Sequence, residues 1–214
     1  MAAGSTSDGA SPGWPSDWLQ PEWPSVPGVK AVCTSRVGGV SAGVYSSFNL
    51  GDHVGDASQA VAANRAALAR AIAVRPVFLN QVHGTNVIDL THPLADGMPA
   101  DACVTRERGL ACTVMAADCL PLLITCVRGG VVAAAHAGWR GLLLGVVEAS
   151  LQQFWSQVLA LHGSDCANAL PTQTRVWLGP CIGPQRSADE RQVSRLQFAH
   201  RGLPWMRMVS RRPS

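Results

Sequence analysis

Between Leu110 and Ala137 the chain is apolar almost without relief, yet Asp118, Pro121, Arg128 and the pair Gly129-Gly130 cut the run into pieces of strand length. This punctuation constrains the fold more than any other feature. A membrane span needs about 18–20 uninterrupted apolar residues; no piece approaches that, so the segment is expected in the core of a soluble protein. Short apolar runs bounded by turn residues predict buried strands at residues 111–116, 122–127 and 131–136. Similar runs predict strands at 29–34, 76–82, 86–90, 102–105 and 175–178. Residues 56–74 are Ala-rich, open with capping residues and place Val61, Leu68 and Ile72 near one face, which predicts a helix. Residues 142–161 predict a second. Strands and helices in this mixed order predict a single-domain layered α/β sandwich with mixed sheets, not a Rossmann alternation.

A chain of 214 residues is long enough to bury a real core without staples. Residues 1–22 are expected to be a disordered or extended arm, with Trp14 and Trp18, and Trp23 just beyond, docking it on the body. The body is expected over 23–184 and an atypical basic tail over 185–214. Seven Cys form an odd set with irregular spacing, no Cys-x-x-Cys pair and no secretory leader. They read as reduced thiols of a cytoplasmic protein. The net charge is +3, but residues 185–214 hold seven Arg against Asp189 and Glu190, so the first 184 residues carry −2. The basicity belongs to the tail and gives the body no nucleic-acid footprint.

Three metal-binding side chains stand where predicted strands end or break: His83 in Asn80-Gln81-Val82-His83-Gly84, Cys119 in Ala117-Asp118-Cys119-Leu120-Pro121, and His136 before Ala137-Gly138-Trp139-Arg140-Gly141. Positions 83, 119 and 136 match no zinc-finger spacing. Three ligands from distant strand ends, with a fourth position open, are the pattern of a catalytic zinc. Taken singly, a His beside Gly is a turn residue and a Cys in an apolar run is core. Asp118 is placed either to accept a ring N–H from a ligating imidazole or to cap a buried turn. Arg140, predicted at the start of a helix, would hold an anion or pair with a carboxylate. Arg36, in the glycine-bearing turn Arg36-Val37-Gly38-Gly39-Val40-Ser41, and Arg65 are further candidates for phosphate, Arg65 reading more as a helix-packing residue. Asn49 is placed to orient a substrate or to make an ordinary turn. His53, His92 and His162 read as surface.

Together these motifs resemble one family, the YfiH-type, laccase-domain purine nucleoside phosphorylases, also described as polyphenol oxidase-like. The resemblance rests on Thr34-Ser35-Arg36-Val37-Gly38-Gly39-Val40-Ser41, Phe48-Asn49-Leu50-Gly51-Asp52-His53-Val54-Gly55-Asp56, Asn80 to Gly84, Ala100-Asp101-Ala102, Ala117 to Pro121, His136 to Gly141 and Leu178-Gly179-Pro180-Cys181-Ile182-Gly183, in order over residues 23–184.

The resemblance implies a YfiH-like catalytic domain, a zinc held by His83, Cys119 and His136, and a site for purine nucleosides and phosphate, with Arg36, Asn49, Asp118 and Arg140 as catalytic candidates. It implies phosphorolysis of adenosine, inosine and S-methyl-5'-thioadenosine, adenosine deamination, and copper-linked phenol oxidation as a side activity, with copper the alternative metal. A multicopper oxidase needs many His ligands, commonly in His-x-His pairs; this chain has six His and no such pair. Relatives are also linked to peptidoglycan editing, on which these residues are silent. Two other readings stand beside the zinc enzyme. In one, Cys119 is the nucleophile of a cysteine hydrolase with His83 or His136 as its base. In the other, the departure from the family after Pro184 leaves a metal-binding protein without turnover.

Overall fold

The break at Arg128-Gly129-Gly130 becomes the turn between two paired strands, and Asp118 lies just before the first of them. The computed structural model describes residues 13–91 and 95–182, which fall into two units: residues 13–21 with 32–74, and residues 22–31 with 75–182. The tail from residue 183, the first twelve residues of the arm, and His92 lie outside the described residues.

In the first unit a short 3-10 turn, Gly43–Tyr45, precedes helix α1, Ser58–Ile72. The helix lies within the predicted 56–74 and stops where Ala73 turns left-handed (φ 57°) and donates its N–H to the Ala69 carbonyl. Its Asn64 is 1% exposed. Asn64 accepts from the Val40 N–H and donates to Ser41 Oγ, Ser47 O and Asn49 O, which ties the long loop 36–56 to the helix. Only glycine fits at position 39, because a Cβ there would lie 2.3 Å from Ser47 O and 2.6 Å from Asn64 Oδ1. Trp14 donates to the Ala71 carbonyl at 3.0 Å, and the buried Trp18 packs on Phe48, so these two tryptophans do dock the arm. The strand expected at 29–34 does not form. Cys33 makes only an isolated bridge to Leu19, because Pro21 and Pro24 cannot donate to a longer ladder.

The second unit contains, in chain order, β1 (Arg75–Val77), β2 (Val87–Asp89), β3 (Ala102–Thr105), β4 (Leu110–Cys112), β5 (Leu120–Cys126), β6 (Val132–Ala137), α2 (Trp139–Leu144), α3 (Val146–His162), a 3-10 segment (Ser164–Ala169), α4 (Leu170–Gln173) and β7 (Thr174–Leu178). A five-stranded mixed sheet has the order β2-β3-β6-β5-β7, with β2 and β3 parallel and the other pairs antiparallel; β1 and β4 form a separate parallel pair. The mixed α/β class is therefore as expected. Period-two alternation sends Ala133, Ala135 and Ala137 of β6 and Leu122 and Ile124 of β5 to the face covered by α3. Ala134 points to the opposite face with Val77, Leu79, Leu90 and Cys103. Both faces are covered, so the strands read as apolar throughout. The small side chains of β6 let α3 come close; Phe154, fully buried, anchors the contact, and its truncation would cost about 3–5 kcal/mol.

Several boundaries differ from expectation for visible reasons. The helix expected over 142–161 is two helices, because Gly145 at φ 95° ends α2 in a left-handed cap. The strand expected at 111–116 stops at Cys112: beyond it Gln81 Nε2 donates to Met115 O and Met115 N donates to Gln81 Oε1, both at 2.7 Å, a side-chain substitute for a strand partner. The strand expected at 76–82 likewise ends at Val77, with one bridge further on between Asn80 and Pro99. His162, read as a surface residue, is half-buried and contacts Gly129 O through Nε2 at 3.1 Å. Among the described residues no helix is long and apolar enough to cross a membrane.

Candidate metal centre and the cleft beside it

The sheet register explains why three residues so far apart in sequence meet. In the β3–β6 ladder Ala102 faces Ala135; one step further the same register sets Asp101 opposite His136, and the His136 N–H donates to Asp101 O at 2.7 Å. On its other side His136 faces Pro121 of β5, and Cys119 stands just before that strand. His83 comes from the loop between β1 and β2. The donor atoms of His83, Cys119 and His136 all lie within 4.8 Å of one another, with His136 buried, Cys119 half-buried and His83 exposed. Among the described residues this is the one such group of three or more.

The three donors are grouped closely enough to hold a metal ion. Ideal tetrahedral zinc bonds put a thiolate sulfur and an imidazole nitrogen roughly 3.6 Å apart. Cys119 Sγ and His83 Nε2 stand 3.9 Å apart, a few tenths of an ångström beyond that spacing. The two imidazoles meet edge to face, with centroids 4.8 Å apart. Gly138 allows this approach: a Cβ at that position would lie 2.8 Å from His83 Cδ2 and 3.0 Å from Cys119 Sγ.

Asp101, fully buried, organises the centre. Its Oδ1 accepts from the His83 N–H and from His136 Nδ1, each at 2.9 Å; its Oδ2 accepts from the Gly84 N–H at 2.7 Å and the Val82 N–H at 3.2 Å. With three backbone N–H groups already donating to the carboxylate, its remaining acceptor site suits a hydrogen on Nδ1 of His136, the tautomer that leaves the Nε2 lone pair for a metal. The same contacts hold His83 in the left-handed region at φ 59°, a conformation that costs a non-glycine residue about 1–2 kcal/mol. The sequence left Asp118 either to orient a ligating imidazole or to cap a buried turn. For His136 the orienting place is held by Asp101, because the register of β3 against β6 delivers position 101; Asp118 is exposed and lines the cleft instead. The signal that pointed to Asp101 was a carboxylate in Ala100-Asp101-Ala102, heading an apolar strand where a charge needs a partner.

A cleft of about 230 Å³ opens beside the centre, lined by His83, Asp118, Cys119, Trp139 and Arg140. Arg140 is the second residue of α2, a helix of six residues. Its guanidinium lies over the Trp139 ring, 5.2 Å from the centroid. Among the described residues no carboxylate pairs with Arg140, so the salt-bridge reading of this side chain finds no partner there. A larger groove of about 430 Å³ runs along α3 past Leu151, Trp155 and Leu159; it is mainly apolar and Glu148 is its single carboxylate, so the clustered donors belong to the smaller cleft.

Five of the seven expected site residues, His83, Cys119, His136, Asp118 and Arg140, are thus brought together in the second unit. Arg36 and Asn49 belong to the first. There Arg36 donates through Nε and Nη2 to Ser46 O at 3.0 and 2.8 Å. Asn49 closes a turn with Gly51 and donates to Asp56 Oδ2. The Ser41 hydroxyl and the Asn49 amide hold the Asp56 carboxyl below its usual range. Arg65, read as a helix-packing residue, instead donates to Leu50 O and pairs with Asp52 in the loop before the helix.

The family model described as multi-copper polyphenol oxidoreductase laccase matches residues 30–203. Over 169 residues the chain is 44% identical to a purine nucleoside phosphorylase of Pseudomonas aeruginosa, covering 78% of this chain and 63% of that protein. It is 42% identical over 172 residues to the purine nucleoside phosphorylase YfiH of Escherichia coli, covering 79% and 65%. The chain therefore spans a little under two thirds of these relatives' length. Among solved structures, a Neisseria meningitidis protein of the DUF152 family superposes with a TM-score of 0.73 at 35% identity, covering 86% of this chain and 72% of that one. YlmD from Geobacillus stearothermophilus gives 0.68 at 31% identity, covering 85% and 69%.

Proposed function

The chain belongs to the family described as multi-copper polyphenol oxidoreductase laccase, and from that premise we propose that it is a zinc-dependent purine nucleoside phosphorylase. Its proposed substrates are adenosine, inosine and S-methyl-5'-thioadenosine, with adenosine deamination as a second activity of the same site. The observation that carries the reading is the convergence of His83, Cys119 and His136 beside an arginine-bearing cleft, in a chain similar to proteins named purine nucleoside phosphorylases.

Zinc held by these three donors would supply Lewis acidity beside the cleft. The chain's own residues do the rest. Asp101 fixes the His136 tautomer and the His83 backbone, so the donors are aimed before a metal arrives. Arg140 offers a planar fork of N–H donors suited to phosphate. In phosphorolysis a phosphate oxygen bonds to the anomeric carbon, the bond from that carbon to the purine nitrogen breaks, and the products are the free base and the sugar 1-phosphate. Asp118 and Arg140, which line the cleft, would orient the reactants. The expectation that Arg36 contacts phosphate and Asn49 the substrate is part of the proposal and is tested by their alanine variants in the same assay. Cys119 must be reduced to serve as a ligand, which suits the cytoplasm. With copper at the same donors, phenol oxidation would be a side activity; six His without a His-x-His pair leave a multicopper cluster short of ligands.

The test is to purify the protein, measure its metal, and follow adenosine and inosine by chromatography with and without phosphate. Free base that appears only with phosphate supports phosphorolysis, and inosine formed from adenosine supports deamination. A full zinc load with neither product refutes the proposal.

A further inference from the structure

We infer that Trp139 determines substrate specificity by stacking the aromatic base of the nucleoside, an inference that rests on the function proposed above. Trp139 follows Gly138, where an added Cβ would lie 2.8 Å from His83 Cδ2 and 3.0 Å from Cys119 Sγ, so its backbone stands one peptide unit from the donor set. Its indole is not a core side chain: it is 41% exposed and forms a wall of the cleft. A large aromatic surface left open beside three metal donors is the arrangement that recognises a flat ring.

Arg140 strengthens this assignment. Its guanidinium at 5.2 Å from the indole centroid lies within cation–π range and makes the pair a platform with one cationic and one aromatic part. A nucleoside and phosphate present the matching chemistry, a heteroaromatic ring and an anion. Trp139 is the largest aromatic surface in the lining of the cleft, so selection falls on the ring that the indole stacks.

Stacking on an aromatic side chain is lost on truncation with a weakening of about 5- to 150-fold. The experiment uses zinc-loaded full-length protein and three variants, Trp139→Phe, Trp139→Leu and Trp139→Ala. It measures zinc content, adenosine and ribose 1-phosphate dissociation constants by calorimetry, and KM and kcat for adenosine phosphorolysis. Trp139→Leu and Trp139→Ala are expected to keep a full zinc load and wild-type affinity for ribose 1-phosphate, which has no ring to stack. Their KM and Kd for adenosine are expected to rise at least fivefold, with kcat changed far less and Trp139→Phe restoring most of the loss. Wild-type adenosine binding in Trp139→Leu overturns the inference while the phosphorolysis of the native protein stands. Adenosine and ribose 1-phosphate affinities that fall together overturn it as well, since that marks a general distortion of the cleft. A native protein that is loaded with zinc but neither binds nor cleaves adenosine removes the proposed function, and this inference with it.

Discussion

Replacing Asp101 by Asn changes one oxygen to an amide and leaves shape almost untouched, which makes it a sharp probe of the centre. Both carboxylate oxygens accept two hydrogen bonds, so neither orientation of the amide is harmless. With the NH2 at the Oδ2 position, it points at the Val82 and Gly84 N–H groups, donor against donor. With the NH2 at the Oδ1 position, it opposes the His83 N–H and donates to His136 Nδ1. The imidazole must then move its proton to Nε2, the nitrogen that would ligate. A buried donor left unpaired costs about 1–3 kcal/mol, and a charge-assisted bond is roughly twice as strong as a neutral one. Val82 and His83 are exposed at the surface, so water can reach part of the deficit. The expected destabilisation is therefore about 2–3 kcal/mol, a fall in Tm of roughly 5–10 °C for a chain of this size.

Zinc affinity should fall about 10- to 100-fold, the usual effect of removing the partner of a ligating histidine. The assay is competition with a chromogenic zinc chelator, run beside thermal unfolding of the metal-free protein. His136→Ala is the comparison, since it deletes a donor but leaves the three N–H bonds to Asp101 intact; it should lose zinc with a smaller loss of metal-free stability. Zinc affinity in Asp101→Asn within about twofold of the native protein would refute the orientation argument, whatever happened to Tm.

Gly138→Ala is sterically specific: the backbone at φ −66°, ψ 161° accepts alanine, but the new Cβ would press on His83 and Cys119. About a tenfold loss of zinc affinity with little change in the unfolding of the metal-free protein is expected, read by the same chelator competition. Cys119 separates metal ligation from nucleophilic catalysis. A ligating thiolate should resist iodoacetamide when zinc is bound and react once it is chelated, as peptide mass mapping would show; equal labelling in both states favours the hydrolase reading. Asp56 gives a pH prediction. Its folded pKa lies below the ordinary aspartate value of about 3.9, so its contribution is present above that value and is lost as pH falls through the lower folded one. Tm of the native protein should drop more steeply below about pH 4 than that of Asp56→Asn, and parallel curves would show that the Ser41 and Asn49 contacts add nothing.

What could be read from the sequence were features that report on one segment at a time. The turns at Asp118-Pro121 and Arg128-Gly130 set the ends of β5 and β6 within two residues, because breakers act locally. Residues 102–105 came out as β3 without error for the same reason. The misplaced strands at 111–116 and 29–34 have a different cause, a side chain or a partner segment that settles the backbone from a distance, whereas Gly145 splits the second helix locally. Gln81 takes over the pairing of Met115, and nothing in residues 111–116 shows that their ladder ends at Cys112. Pro21 and Pro24 limit Cys33 to one bridge, although the run around Cys33 has strand composition.

The centre divides along the same line. His83, Cys119 and His136 were visible because metal-binding side chains at broken apolar runs are conspicuous, and Arg140 because it adjoins one of them. Asp101 was missed in favour of Asp118 because adjacency in sequence was the only criterion at hand, while its role depends on register. Extending the ladder one step past Ala102 and Ala135 puts a carboxylate beside an imidazole, and the loop carrying His83 folds onto the same carboxylate. One residue thereby links two ligands that are 53 positions apart in the chain (136 − 83). A slip of one residue between β3 and β6 would send Asp101 to the opposite face of the sheet, among the apolar side chains under α3. The register that buries the core therefore also selects the ligand geometry. Core changes that loosen the β3–β6 ladder, far from any donor, should lower metal affinity together with stability.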